Sequence, residues 1–257
     1  MKKDLGKFCY RIIKGIIRLC YPKIEVYGTE HLSGEPMIFV GNHCKMNGPI
    51  SCELYFPMKR YTWCAGEMMH LKEVPDYAYQ DFWAEKPVGI RWFYRLLSYV
   101  IAPLSVCVFN HADTIGVYHD TRIIGTFKNT VQRLTEGAGI VIFPEHNVPY
   151  NHILWEFQNR FVDVAKLYYK KTGKEIAFVP LYIAPSLHRM VLGKPIRFCA
   201  ANPIEEERKR ICSYLMEEIT QIACKLPLHT VIPYPNIPRK AYPVNRLQEI
   251  EGEGAKG

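Results

Sequence analysis

The stretch GIVIFPE, residues 139–145, runs through three β-branched residues and a phenylalanine without a break, then stops at Pro144-Glu145. A strand that is apolar on both faces is buried on both faces, as inside a parallel sheet covered by helices. Upstream, RIIGTFKNTVQRLTEG (122–137) sets Ile124, Phe127, Val131 and Leu134 at helical spacing, with Gly137 and Gly139 to stop the helix. TIGVYH (114–119) before it reads as a strand, as do KIEVYG (23–28), PMIFVGN (36–42) and YTWCAG (61–66). Downstream the pattern predicts a helix over 157–172 and a second buried strand, IAFVPLYI (176–183). The last helix, EEERKRICSYLMEEITQIACKL (205–226), is acidic at its start, as the helix dipole favours. Alternating elements with short connections predict one α/β domain with a mixed, largely parallel central sheet flanked by helices. The expected organisation is an amphipathic helix over 1–24, the α/β domain over 25–228, and an extended proline-punctuated segment over 229–257 whose EGEGAKG end is disordered.

With 257 residues and 48% apolar side chains, the chain has ample material for a continuous core. The formal charge of +8 implies an anionic partner: a membrane surface, a phosphorylated ligand or nucleic acid. No nucleic-acid-binding signature accompanies the charge, so that class is set aside. Nine cysteines without a C-x-x-C pair read as reduced thiols of a cytoplasmic protein. At the N-terminus Phe8, Ile12, Ile13, Ile16, Ile17 and Cys20 share helical spacing, with Lys7, Lys14 and Arg18 elsewhere on the helix. Such a basic amphipathic helix suits the surface of an anionic bilayer, or the flank of the domain core. Lys14 and Arg18 also break any secretory signal. The uncharged run LLSYVIAPLSVCVF (96–109) contains Pro103 and is too short to span a bilayer. Aromatics alternate with charges over 75–109; ordinary packing of amphipathic helices is the reading taken, with an acyl groove or lipid contact as the alternatives.

Chemistry concentrates where PMIFVGN runs into Asn42-His43, since strand ends that open into loops are where α/β proteins keep their sites. A histidine there can serve as a general base. Cys44 beside it invites a nucleophile, but a buried structural thiol is the simpler reading. His146 and His152, with Glu145 and the more distant His111 and His119, lack the tight spacing of a zinc site, and no metal is expected.

In order and spacing, the basic helix, VGNH (40–43), IGVYHDTR (115–122), GIVIFPE and FVPLYI (178–183) resemble the glycerolipid acyltransferase family typified by 1-acylglycerol-3-phosphate acyltransferase, over most of residues 5–225. The resemblance implies that His43 deprotonates an acceptor hydroxyl, which attacks the thioester of acyl-CoA or an acyl carrier protein; these donors are substrates, and no cofactor is implied. The family places an Asp four intervening residues after the His, where this chain has Gly48 preceded by Asn47. In a serine-protease triad, exchanging the corresponding carboxylate for an amide costs about four orders of magnitude in turnover. Asn47 is one candidate to orient the ring; Asp113, Asp120 and Glu145 are candidates to supply the missing charge. The family's second motif offers an Arg for phosphate; His119 falls at that position and Arg122 lies nearby. Of the third, Phe143, Pro144 and Glu145 remain, but His146, Asn147 and Val148 replace Gly-Thr-Arg; Val179-Pro180-Leu181 matches the fourth and shapes the pocket. The implied catalytic set is His43, Asn47 and Glu145, with Asn42, His119, Arg122, Pro144 and His146 contacting substrate. The implied function is acyl transfer to a lysophospholipid-like or other polar hydroxyl or amine, at the inner face of a membrane held through the N-terminal helix. The alternative is a catalytically impaired relative that binds lipid or acyl carrier.

Overall fold

The structure, a computed structural model, describes residues 2–246, with side chains from residue 5 onward; the EGEGAKG end lies outside the described residues. Helix α1 (Lys2–Cys20) leads into β1 (Glu25–Tyr27), β2 (Met37–Gly41), α2 (Asn47–Tyr55) and β3 (Arg60–Ala65). The chain continues through α3 (Val74–Trp83), α4 (Arg91–His111), β4 (Thr114–Val117), α5 (Ile123–Thr135) and β5 (Gly139–Ile142). A hairpin of β6 (Glu145–Pro149) and β7 (Trp155–Phe157) precedes α6 (Asp163–Thr172), β8 (Ala177–Ala184), β9 (Arg189–Leu192), β10 (Ile196–Arg197) and α7 (Ile204–Lys225). The central sheet runs β1-β9-β8-β2-β5-β3-β4, with β10 pairing β8 beside β9. All neighbours are parallel except β8–β9 and β8–β10, so the sheet is mixed and largely parallel, as the buried apolar strands require.

Strand period divides the core in two. Ile38, Val40, Ile140, Ile142, Phe178 and Tyr182 pack on one face against Val131, Leu134, Ala165, Ile211, Leu215 and Ile219 of α5, α6 and α7. Met37, Phe39, Val141, Val179, Leu181 and Ile183 point to the other, with Cys52 of α2.

Several elements depart from the sequence reading. The helix expected from 157 begins at Asp163, because Trp155–Phe157 pairs with Glu145–Pro149 and a 3-10 turn over Asn159–Val162 follows. In α5, Ile124 is exposed, while Thr126 and Thr130 are buried because Thr126 Oγ1 donates to the Gly116 carbonyl (2.6 Å) and Thr130 Oγ1 accepts from Trp63 Nε1 (3.0 Å). Residues 229–246, expected as an extended segment, fold back: buried Asn245 accepts the His229 N–H (2.8 Å) and donates to the Ala223 carbonyl (2.7 Å). The uncharged run 96–109 lies within α4, and the stretch Val88–His111, 24 residues, is long and apolar enough by length and composition to cross a membrane.

Candidate active site

β2 and β5 are parallel neighbours, with Val40 opposite Ile142. Continuing that register past both strand ends brings His43 beside Glu145. There Glu145 Oε2 accepts the His43 backbone N–H at 2.5 Å, and Oε1 accepts the Trp155 N–H at 3.1 Å. The carboxylate thus ties the β2 loop to the β6–β7 hairpin. Burial raises the Glu145 carboxyl to about 7, although both N–H donors favour the anion.

Asn42 works as a substitute peptide unit. Its Oδ1 accepts from the Ile183 N–H (2.8 Å) and its Nδ2 donates to the Ile183 carbonyl (3.0 Å), extending the β2–β8 ladder where the strands part. Both ends of this buried amide are therefore engaged within the fold rather than turned to a ligand. The loop then makes a tight left-handed step: Cys44 and Lys45 have φ of 47° and 56°, a conformation that costs non-glycine residues energy. Cys44 is buried, takes an Nδ2–H from Asn42 and faces the Ile183 carbonyl; burial, then the Glu145 charge, push its thiol well up, opposite to what a thiolate nucleophile needs.

The half-buried His43 ring stands edge-on to Phe143 (5.4 Å between centroids) and to Tyr234 (6.2 Å). Burial lowers its pKa, opposed by a hydrogen bond from the ring to the Lys45 backbone that favours the cation. The imidazole is thus kept neutral, the form a base requires. Among the described residues no carboxylate pairs with this ring; the His–carboxylate pairs present are His31–Glu30 and His146–Glu156 (3.8 Å). Asn47, a candidate orienter, turns away from it: Nδ2 donates to the Cys44 carbonyl (3.1 Å), and Oδ1 accepts from Tyr21 (3.1 Å). A β-carbon at Gly48 would lie 2.4 Å from the His43 carbonyl oxygen and 3.1 Å from the Phe143 ring, so the backbone has no room for the family's Asp.

The remaining predicted residues scatter. Pro144 is buried between Phe143 and Glu145, and His146 projects half-exposed from the hairpin beside Glu156. His119 and Arg122 follow edge strand β4, three strands from β2 and so about 14 Å away across the sheet. Arg122 is engaged there by Glu73 (3.0 Å) and Asp120 (2.8 Å) and lies over the Tyr118 ring at 4.0 Å. Asp120 is thereby held on Arg122, not on His43. Tyr234 was not legible as a site residue, since nothing in a proline-rich tail announces where it returns. Burial and then the charges of Asp81 and Glu145 raise its hydroxyl, which marks α3 as a neighbour of the same corner. Surface cavities on the α5–α6 flank, lined by residues such as Phe127, Lys128 and Leu167 or by Lys166, Tyr169 and Phe198, contain none of these residues. No group of three or more metal-ligating side chains occurs among the described residues.

Fold and site define a class: an α/β protein with a histidine loop and a Phe-Pro-Glu corner at adjacent parallel-strand ends. A solved structure that matches it is the 1-acyl-sn-glycerophosphate (LPA) acyltransferase PlsC from Thermotoga maritima, with a TM-score of 0.50, 14% identity, and coverage of 88% of this chain and 85% of that one. At that identity the likeness is one of fold, and the chain has an acyltransferase fold. No family model matches the sequence, and no curated protein does.

Proposed function

We propose that the protein is an acyltransferase that moves a fatty acyl group from a thioester, acyl-CoA or an acyl carrier protein, to a hydroxyl or amine of a lysophospholipid-like or other polar acceptor. One observation carries the reading: a neutral imidazole at the end of β2, with its backbone pinned to the Phe-Pro-Glu corner of β5. The fold shared with PlsC supports it. In the step, His43 takes the acceptor's proton as its oxygen or nitrogen attacks the thioester carbonyl; the C–S bond breaks, and the proton returns to the departing thiolate. Glu145, Asn42 and Asn47 act as positioning residues for the loop, Phe143 and Pro144 wall the site, and His146 faces the acceptor. His119 and Arg122 take no part at the reacting atoms and are reached only by an extended headgroup. Helix α1, with Leu5, Phe8, Ile12, Ile16 and Leu19 exposed along one stripe, holds the protein peripherally at the cytoplasmic face of a membrane.

The test is thiol release from acyl-CoA with lysophosphatidate and other lysolipid acceptors. Release by the native chain that is abolished in folded His43→Ala is expected; an unchanged rate in the variant removes the base. The bare imidazole and the crowded Gly48 favour a second reading, a binding protein of the same fold. Acyl-CoA binding with no release above the protein-free control is its signature.

A further inference from the structure

Helix α4 is amphipathic in the wrong sense for a protein surrounded only by water. Its inward face buries the small side chains Ser98, Ala102 and Ser105; Ala102 joins the Met68, Val74 and Ala78 cluster, with Ile101, Val106 and Phe109 half-buried against it, and Ser105 Oγ donates to the Met68 carbonyl (3.1 Å). Its outward stripe is large and apolar: Trp92 (68% exposed), Leu96 (59%), Tyr99 (56%), Val100 (67%) and Leu104 (52%). A water-soluble helix buries such a stripe, and a patch of this kind marks a partner surface.

We infer that α4 is a second membrane-inserting element, lying in the interface of an anionic bilayer with this stripe among the acyl chains. Four observations select a bilayer over a second copy of the chain. From Leu96 to Phe109 the helix has no charge over about 20 Å, a length suited to lying within one leaflet. At its N-terminal end are Arg91 and Arg95, the latter paired with Asp76 and lying over the Tyr79 ring, beside the aromatic pairs Trp83–Tyr94 and Trp92–Phe93, cations and aromatics that belong at the headgroup level. The helix does not cross: its small-residue face is packed on the domain, and β4 starts at Thr114, directly after it. Finally, α1 lies against its far end, where Cys107 Sγ faces the Gly6 carbonyl (3.6 Å) and a β-carbon at Gly6 would meet the His111 ring, and α1 adds its own exposed apolar stripe and cations. The inference extends the membrane reading given to α1 and is independent of acyl transfer.

The test uses the full chain and vesicles of phosphatidylcholine with or without phosphatidylglycerol. Brominated acyl chains should quench a fluorescence component that is lost in Trp92→Phe. Leu96→Glu/Val100→Glu/Leu104→Glu, all exposed positions and checked for native circular dichroism, should weaken vesicle binding by at least about tenfold with α1 intact. Ile12→Glu/Ile16→Glu reports α1 separately, and His43→Ala should bind vesicles as the native chain does. Failure to bind vesicles, binding with Trp92 unquenched, or unchanged affinity in the triple variant overturns the inference. A lipid-free dimer that the triple variant dissociates does so in favour of a second copy.

Discussion

At the scale of the residue, His43 and Glu145 titrate in ways that reinforce each other in activity and oppose each other in stability. His43 can accept a proton only above its pKa, which burial lowers, so its contribution is complete at neutral pH and fades only at pH below the ordinary histidine range. Glu145 accepts two backbone N–H groups as the anion; protonation turns one oxygen into a donor and frees an N–H. Turnover is therefore expected to rise with pH through about 7, the value to which burial raises Glu145, and then level off. The stability sign is opposite. A carboxyl raised from 4.5 contributes fully below 4.5, and that contribution is lost as pH rises through about 7. A kcat profile checks the first half: Glu145→Gln should lose the step near 7 and keep only the limb from His43. A native profile that is flat between 6 and 8 would show that the Glu145 tie has no bearing on the reaction.

At the scale of the element, the decisive junction is the start of α2. The family's aspartate cannot be restored by substitution, because the first turn of α2 lies directly under the His43 carbonyl; Gly48 N–H donates to it at 3.1 Å. Gly48→Asp is expected to lower stability by about 1–3 kcal/mol through overpacking and to leave turnover no higher. Denaturant melts beside thiol-release rates check it, and a faster variant would mean that the loop opens to form a carboxylate–imidazole pair. This junction also shows what sequence reading reaches. Buried strands such as Ile140–Ile142 and Val179–Ile183 are legible because continuous apolar runs have few other uses, and register follows once adjacent strands are named. Short strands such as β6, β7 and β10 are not, since they are polar or only two to five residues long and exist through their partners. Helix α4 was legible as a helix but not in its orientation: periodicity reveals a stripe, not which side of it faces the protein. His43 and Glu145 could be placed together in advance, whereas the Asn47 contact with Tyr21 depends on where α1 ends.

For the whole molecule, the returning segment 229–246 decides whether the site is complete. Asn245, fully buried, satisfies the carbonyls of Ala223, Leu226 and Pro227 and the His229 N–H, and so clamps the segment to the end of α7. His229 in turn reaches the buried Tyr182 hydroxyl at 2.8 Å. Asn245→Ala removes the acceptor of the His229 N–H, at roughly 1–3 kcal/mol where water does not reach it, whereas the Leu226 and Pro227 carbonyls keep their bonds to Arg246 and to His229 Nδ1. Its expected effect is faster amide exchange over 229–246 and a loss of turnover larger than the loss of helical signal. Equal losses of both would make the clamp merely part of global stability. The hydrogen bond from Lys45 to the Tyr242 hydroxyl joins positions 197 residues apart, and Tyr234 flanks the imidazole from the same late stretch. A polypeptide still being made on the ribosome therefore carries its histidine long before the wall beside it exists, and the crevice closes only when synthesis has passed this stretch.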